Sequence, residues 1–223
     1  MLKIEKITTT IGAEISGISL NRDLTSAVCN EIYDALIDNQ VIFFRDQNIT
    51  PEVHLQLAKS FGEPEPPHPV YPHVEGYENI VLLKSGGGNV PDTNDWHKDM
   101  TFKANPPFTS ILHAVDVPAV GGDTLWASTG TAYDNLPGAW KMHLEGMEAM
   151  HDIGTFRNDF YKKGGIEAVN NALKDTGSAV HKIIDTHPVS GLKYINVNQS
   201  FTRNIVGMIQ GESDRILHYL YQH

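Results

Sequence analysis

Residues 94–102 read Asn-Asp-Trp-His-Lys-Asp-Met-Thr-Phe, a β-prone run flanked by aromatic side chains. Along a β-strand, residues i and i+2 point to the same side, so His97 and Asp99 would direct one nitrogen and one oxygen to a common point. These are two of the three ligands in a 2-His-1-carboxylate facial triad, which leaves positions open on a non-haem Fe(II). A histidine and an aspartate at this spacing also occur by chance on solvated strand edges. The rest of the chain must decide between the two interpretations.

Composition and charge narrow the class of protein. The chain has 223 residues, enough for one domain with a full hydrophobic core, and we expect a single domain over residues 1–223. Its net charge of -10 and the lack of a basic stripe argue against nucleic acid as a partner. The N-terminus is too charged for a signal peptide, and no apolar run reaches membrane-spanning length, so we expect a cytoplasmic protein without membrane contact.

The single cysteine, Cys29, excludes an internal disulfide and a cysteine-based zinc site. It falls in an apolar helical pattern and is interpreted as a structural thiol. The eleven histidines are weak support for a metal site by their number alone.

Hydrophobic periodicity and turn residues predict a mixture of strands and helices. The predicted strands are 2–8, 12–19, 41–44, 79–83, 107–115, 124–126 and 192–198. The predicted helices are 26–38, one that begins at Thr50-Pro51-Glu52, 129–147, and a last helix capped by Ser213. For residues 153–180 a mobile lid and a plain surface insertion remain alternatives. Together these elements predict an α+β protein with a mainly β core, arranged as an antiparallel sandwich or barrel with helices outside.

Six motifs in the same order along the chain give the sequence a family resemblance. They are Gly12-Ala13-Glu14-Ile15-Ser16-Gly17, Val41-Ile42-Phe43-Phe44-Arg45-Asp46-Gln47, His68-Pro69-Val70-Tyr71-Pro72-His73, Trp96-His97-Lys98-Asp99-Met100-Thr101-Phe102, Gly121-Gly122-Asp123-Thr124-Leu125-Trp126 and Thr186-His187-Pro188-Val189-Ser190-Gly191. In these motifs the chain resembles the taurine dioxygenase-like family of Fe(II)- and 2-oxoglutarate-dependent dioxygenases. The resemblance implies a double-stranded β-helix, or jelly roll, with flanking helices.

The resemblance also implies the chemistry. The cofactors would be Fe(II), 2-oxoglutarate as cosubstrate and O2, and the reaction would be hydroxylation of a small anionic substrate. A taurine-like sulfonate or an alkyl sulfate is the favoured class, in which the hydroxylated carbon then expels sulfite or sulfate. We expect a small molecule as partner and leave homo-oligomerisation open.

Site residues are carried over position by position from the family. His97 and Asp99 match the first two iron ligands, which are also the catalytic residues, and Thr124 matches the hydroxyl that bonds the distal carboxylate of the cosubstrate. The positions that match or adjoin substrate-contacting residues are His68, Tyr71, Thr93, Asn94, Met100, Phe156 and Phe201. Thr93 stands where the taurine enzyme has an asparagine, which puts taurine itself in doubt. For Phe156 and Phe201, core packing is the alternative interpretation.

The end of the chain departs from the family pattern. The resemblance implies that the second His ligand and the cosubstrate-binding Arg lie on strands beyond the helix that ends at Tyr221-Gln222-His223. We therefore expect these residues to lack the family's C-terminal strands. His187, His218 and His223 are interpreted as structural or surface residues, not as the missing ligand.

Three explanations follow: a longer enzyme, strands supplied by another chain, or a catalytically inactive scaffold or binding protein of the same fold. The first is favoured, because a protein freed from catalysis need not keep His97, Asp99 and Thr124. A small-molecule-binding jelly roll that holds a different metal, such as Mn or Zn, is a further alternative.

Overall fold

A computed structural model describes three ranges of the protein: 2–21, 23–85 and 95–223. The chain divides into two compact units, the first made of Met1–Leu83 and Thr109–Ser128, the second of Lys84–Phe108 and Thr129–His223. Each unit has its own hydrophobic core. The expectation of a single domain over 1–223 stays a prediction.

The first unit contains two small sheets and two helices. Its elements are β1 (Lys3–Lys6), β2 (Ala13–Ser16), α1 (Ser26–Asn39), β3 (Ile42–Phe43), α2 (Pro51–Lys59), β4 (His73–Val74) and β5 (Tyr77–Val81). The strand order is β1-β2-β3, with β1 antiparallel and β3 parallel to β2, while β4 and β5 form an antiparallel pair. The core is formed by Leu20, Ile32, Ile49 and Leu57.

The two helices of the first unit begin where the sequence predicts. The Thr25 side chain accepts a hydrogen bond from the Val28 N–H at the start of α1, and the Thr50 side chain accepts one from the Val53 N–H at the start of α2. Each bond satisfies a backbone donor that the first turn of a helix leaves open. These cap predictions are confirmed.

The second unit contains a three-stranded sheet, a two-stranded sheet and four helices. Its elements are α3 (Thr129–Asn135), α4 (Gly138–Leu144), β6 (Glu148–His151), α5 (Phe156–Thr176), β7 (Ala179–Lys182), β8 (Ile184–Thr186), β9 (Lys193–Ile195), β10 (Thr202–Ile205) and α6 (Gln210–Gln222). The larger sheet has the antiparallel order β10-β6-β7, and β8 pairs with β9. The core is formed by Leu136, Leu144, Ala149, Ile183, Ile184, Ile195, Ile205, Leu217 and Leu220.

Two helix predictions in this unit need correction. The predicted helix 129–147 is two helices, since Pro137 lies between α3 and α4 and cannot donate a backbone hydrogen bond. The last helix begins after Ile209, and Ser213 is not its cap. The Ser213 hydroxyl lies within the helix and accepts a hydrogen bond from the Ile205 N–H at 2.8 Å.

Residues 153–180 are mostly α5, which explains their weak periodicity. The helix is interrupted at Gly164 and at Gly165, where φ is +64°. This break changes the direction of the helix, so no single apolar stripe runs along its length. Neither of the alternatives for this segment, a mobile lid or a surface insertion, is tested by this geometry.

The predicted strands 107–115 and 124–126 are wrong, because no strand forms at either place in the described structure. The side chains of Leu112, Val115 and Leu125 are 64%, 84% and 69% exposed. Strand propensity reflects packing on a half-buried pleated surface, and these side chains have no such surface here. A mixture of helices and sheets is confirmed, whereas the jelly roll and the absence of the family's C-terminal strands stay predictions.

Candidate metal and cosubstrate site

His97 and Asp99 converge, although not for the predicted reason. Residues 96–98 have no regular structure and a turn begins at Asp99, so the strand prediction for this run is wrong. Met100, the next residue, has a φ of +52°, in the left-handed region that side chains other than Gly, Asn and Asp rarely adopt. Even so, His97 Nε2 lies 3.4 Å from Asp99 Oδ1. The two donor atoms are thus directed to one point by a turn.

The backbone fixes the proton on the His97 ring. Its Nδ1 lies 2.9 Å from the carbonyl oxygen of Asp95, which can only accept a hydrogen bond, so Nδ1 carries the hydrogen. In the neutral ring Nε2 then presents its lone pair beside Asp99. Histidines that bind metals are usually oriented in this way, by a hydrogen-bond acceptor that contacts the other ring nitrogen.

Electrostatics at the pair favour a positive charge. The hydrogen bond with Asp99 raises the pKa of His97; burial of the ring opposes this rise, and the Asp95 carbonyl adds to it. A divalent cation would stand in for the proton between Nε2 and Oδ1, and its binding would release that proton. One imidazole nitrogen and one carboxylate oxygen are suitable ligands for Fe(II), so the residues present fit the metal.

Within the described ranges, no group of three or more His, Cys, Asp or Glu could hold a metal ion. The three other histidines considered in the sequence have structural or surface positions, as interpreted. His187 Nδ1 accepts the Ser190 N–H at 3.1 Å, and His223 Nε2 lies 2.9 Å from the carbonyl oxygen of Ala132. His218 lies on α6.

A buried polar network lies directly after the turn, and sequence reasoning missed it. The hydroxyl of Thr101 lies 2.9 Å from His151 Nδ1 and accepts the Asn198 side-chain amide at 3.1 Å. His151 is fully buried, and burial is the main reason that its pKa falls to about 4, with further lowering by His181, Lys98 and Arg203. No pattern in the sequence distinguishes this histidine from the exposed ones.

A second missed feature is the buried carboxylate of Asp152. It forms ion pairs with Arg157 and, at 3.4 Å, with Arg203, and it accepts the Gly154 N–H at 2.8 Å. The side chain of Asp152 is 10% exposed. This cluster joins the end of β6 to the first turn of α5 and to β10.

Three of the predicted substrate residues are connected with the turn that begins at Asp99. Met100 is part of it, and Phe156 and Phe201 contact the ring of Phe102. Phe201 packs edge-on against Phe102 with ring centroids 5.2 Å apart, and Phe156 lies 5.6 Å from Phe201. Phe102 and Phe201 are each 4% exposed. Met100 is half-buried and follows Asp99 directly in the sequence. Core packing therefore accounts for much of the Phe201 surface, and a substrate contact by any of the three stays a prediction.

His68 and Tyr71 meet in the first unit. Their rings stack with centroids 4.8 Å apart. His68 Nδ1 accepts the N–H groups of Val70 and Tyr71 at 3.2 and 3.3 Å, so the neutral ring carries its hydrogen on Nε2. In this neutral ring Nε2 is consequently the donor nitrogen.

Thr124 also lies in the first unit, on an exposed segment without regular structure. It follows Gly121 and Gly122, whose φ angles of +80° and +73° turn the chain. Two residues later, Trp126 packs edge-on against Phe43 at 5.1 Å, which ties this segment to β3. The predicted substrate residues Thr93 and Asn94 lie outside the described residues.

An open cleft of about 710 Å³ in the second unit does not include either residue of the metal pair. It is lined by Asp95, Gln199, Thr202, Arg203, Asp214, Arg215, Leu217, His218 and Tyr221. We locate the candidate site at His97 and Asp99, because the chemistry of these donors is specific and the cleft is shallow.

Comparison with known proteins gives the family. The model of the taurine catabolism dioxygenase TauD, TfdA family matches residues 3–223. The chain belongs to this family. By resemblance it is a 2-oxoglutarate-dependent dioxygenase, in a family that uses Fe(II), 2-oxoglutarate and O2.

Individual proteins that the chain resembles include two curated relatives and one solved structure. The chain is 34% identical to an alkylsulfatase of Acinetobacter baylyi, over 99% of this chain and 70% of that protein. It is 32% identical to an alpha-ketoglutarate-dependent sulfate ester dioxygenase of Pseudomonas putida, over 100% of this chain and 74% of that protein. A crystal structure of a taurine dioxygenase from Burkholderia xenovorans superimposes with a TM-score of 0.81 at 31% identity, over 100% of this chain and 72% of that one.

Proposed function

We propose that this protein hydroxylates a small anionic substrate of the sulfonate or alkyl sulfate type, with Fe(II), 2-oxoglutarate and O2. The observation that carries the proposal is the His97–Asp99 pair, in which Nε2 and Oδ1 lie 3.4 Å apart while Nδ1 is held by a carbonyl. The relatives named as sulfate ester dioxygenase and alkylsulfatase support this substrate class. The alternative of an inactive scaffold receives no support from them.

Three residues have separate roles in the proposed reaction. His97 and Asp99 would hold Fe(II), and Thr124 would donate its hydroxyl hydrogen to the distal carboxylate of 2-oxoglutarate. When bound, the iron would activate O2, so that one oxygen atom ends in succinate and the other in the hydroxylated substrate, with release of CO2. When the carbon that bears the sulfonate or sulfate group carries a hydroxyl, that hydroxyl loses its proton and becomes a carbonyl as the C–S or C–O bond breaks. The products are an aldehyde or ketone together with sulfite or sulfate.

Substrate recognition in this proposal begins at His68. Its Nε2 carries a hydrogen because Nδ1 already accepts two backbone N–H groups, so Nε2 can donate to a sulfonate or sulfate oxygen. The stacked Tyr71 ring would hold the imidazole plane in place. Thr93 and Asn94 would complete the polar contacts, while Met100, Phe156 and Phe201 would form the apolar wall.

In this proposal His97 and Asp99 supply two of the three protein ligands that a facial triad requires. The second His ligand and the Arg for the cosubstrate that the family resemblance implies are not assigned to described residues, and the chain spans 70% and 74% of the two relatives named above. We also keep two other expectations, a jelly-roll core and a cytoplasmic location. Among the described residues, no helix has both the length and the apolar character needed to cross a bilayer.

The test is metal-dependent turnover by the full natural polypeptide. With Fe(II), 2-oxoglutarate and a panel of alkyl sulfates and sulfonates, we expect succinate together with sulfate or sulfite. His97→Ala should abolish turnover and reduce bound iron, whereas His143→Ala, at an exposed histidine on α4, should change neither. Succinate formation that persists at the original rate in His97→Ala would refute the assignment.

A further inference from the structure

The turn that carries Asp99 needs outside support. Met100 adopts a φ of +52°, which places its Cβ close to neighbouring backbone and is rare for an unbranched apolar side chain. Such a conformation persists only where surrounding contacts determine it. The neighbouring residues 96–98 have no regular structure, and Lys98 Nζ reaches the Tyr194 hydroxyl and the Asn196 side-chain oxygen only at 3.5 Å, the long limit of a hydrogen bond. Whatever holds the residues after Met100 therefore also sets the direction of Asp99.

Thr101 is the residue most firmly held. It is fully buried, and its hydroxyl lies between His151 Nδ1 at 2.9 Å and the donating side-chain amide of Asn198 at 3.1 Å. Its carbonyl oxygen lies 2.8 Å from His181 Nε2, which also contacts the Lys103 carbonyl at 3.1 Å. Thr101 thus contacts His151 on β6, His181 on β7 and Asn198 in the segment after β9.

The partners of Thr101 are themselves fixed. Asn198 accepts the Phe201 N–H through its side-chain oxygen at 2.9 Å, and its own N–H donates to the hydroxyl of Thr202 at 2.9 Å. His151, Asn198 and Thr202 are each less than a tenth exposed. Buried polar groups that bond one another in this way form rigid networks, and loss of one member takes a hydrogen bond from each of its partners. His151 bonds through Nδ1 alone, since its buried Nε2 has no hydrogen-bond partner among the described residues.

We propose that Thr101 is a positioning residue, which with His151 and Asn198 holds the Met100 turn so that His97 Nε2 and Asp99 Oδ1 meet at one metal ion. This inference rests on the proposed metal-binding role of the pair. Thr101 does not touch the metal or the substrate. Its hydroxyl instead fixes the backbone two residues after Asp99, and the carboxylate follows that backbone.

Mn(II) affinity measured by calorimetry tests the proposal without reference to turnover. In the full natural polypeptide, Thr101→Val keeps the shape of the side chain but removes the partner of Asn198 Nδ2 and leaves His151 Nδ1 with only the Thr202 hydroxyl at 3.4 Å. We expect it to weaken Mn(II) binding at least tenfold, the usual effect of removing an outer-shell contact. Thr101→Ser keeps the hydroxyl and should restore affinity to within threefold of the wild type.

Ser213→Ala is the matched control. Ser213 is also fully buried, and its hydroxyl accepts one backbone N–H, but it lies on α6 outside this network. We expect it to lower stability while it leaves Mn(II) affinity within threefold. If Thr101→Val does not fold, His151→Phe provides the test. It removes one hydrogen-bond partner of the Thr101 hydroxyl, and we expect it to weaken Mn(II) binding at least threefold.

The outcomes separate this inference from the proposed function. Normal Mn(II) affinity in Thr101→Val, or an equal loss of affinity in Ser213→Ala, overturns the positioning role and leaves the metal site standing. Failure of the wild-type protein itself to bind Mn(II) overturns the metal site, and the positioning role with it.

Discussion

Acid pH should destabilise this protein through one buried histidine. His151 is fully buried, and its pKa falls from 6.5 to about 4, chiefly because burial disfavours the charged ring. The unfolded chain therefore takes up a proton at this position at a higher pH than the folded protein does. The contribution of His151 to stability is fully present above pH 6.5 and is lost as the pH falls from 6.5 towards 4.

The magnitude follows from the two pKa values. The gap between 6.5 and about 4 is about 2.5 pH units, which at about 1.4 kcal/mol for each unit amounts to about 3.5 kcal/mol. About 3 kcal/mol of this is lost by pH 4, where the folded-state histidine is half protonated. With a urea dependence of roughly 2–3 kcal/mol per molar, the midpoint of unfolding should fall by roughly 1–1.5 M. That is a large part of the stability of an ordinary domain.

Urea unfolding at a series of pH values, followed by tryptophan fluorescence, measures the effect as a difference between two proteins. His151→Asn keeps an amide near the position of Nδ1 but cannot titrate. It should be less stable than the wild type at pH 8, because its side chain is smaller, and the gap should narrow by about 3 kcal/mol by pH 4. His143→Asn, at an exposed position, should follow the wild type throughout.

The effect of His97 on stability has the opposite pH dependence, and it cancels when His151→Asn is compared with the wild type. Its pKa is raised, chiefly by the hydrogen bond with Asp99, so its contribution is present below pH 6.5 and is lost as the pH rises through the folded-state value. Both proteins keep His97, so the difference between them reports on His151. A gap that stays constant between pH 8 and pH 4 would show that His151 takes up its proton at the same pH in the folded protein as in the unfolded chain, contrary to the lowering of its pKa by burial.

Two further substitutions test the packing around β6. Gly154 has a φ of +52°, and an added Cβ would lie 1.7 Å from the carbonyl oxygen of Ser200, so Gly154→Ala should cost roughly 2–5 kcal/mol in urea unfolding. Gly146→Ala, with a φ of +77° and nothing within 4 Å of its Cβ, should cost only about 1–2 kcal/mol, and equal losses would contradict the clash. Asp152→Asn leaves two arginines without a carboxylate partner and should cost about 3 kcal/mol, whereas Glu145→Gln, in an exposed ion pair, should have no measurable effect. If Asp152→Asn lowers the free energy of unfolding no more than Glu145→Gln does, the buried cluster around Asp152 does not stabilise the protein.

Local signals in the sequence were sufficient for several elements. Thr25 and Thr50 precede apolar helical patterns, and both helices begin where these hydroxyls can accept a backbone N–H. The same reasoning failed at Ser213, which stands near a helix start and has the right chemistry for a cap. Its hydroxyl accepts the N–H of Ile205, eight residues earlier, and only the folded chain brings these two groups together.

Strand predictions failed where partners decide the outcome. Residues 107–115 are β-prone, but a run becomes a strand only when neighbouring chain segments and a buried face are available. The sequence did not predict the polar network around Thr101, for a related reason. Thr101 and Asn198 are 97 residues apart in sequence, and single-residue chemistry gives no sign that they meet.

At His97 and Asp99 the predicted convergence of the two side chains is found, but the predicted local structure is wrong. Spacing by two residues predicted convergence through strand geometry, yet His97 and Asp99 converge at a turn with Met100 in the left-handed region. A strand would bring the two side chains to one face by its own repeat, whereas this turn requires support from elsewhere. The two-residue spacing therefore predicts the ligand pair, and in the positioning role proposed above its geometry depends on buried contacts that begin at Thr101. Substitutions in that network should consequently act on metal binding from a distance, without touching either ligand.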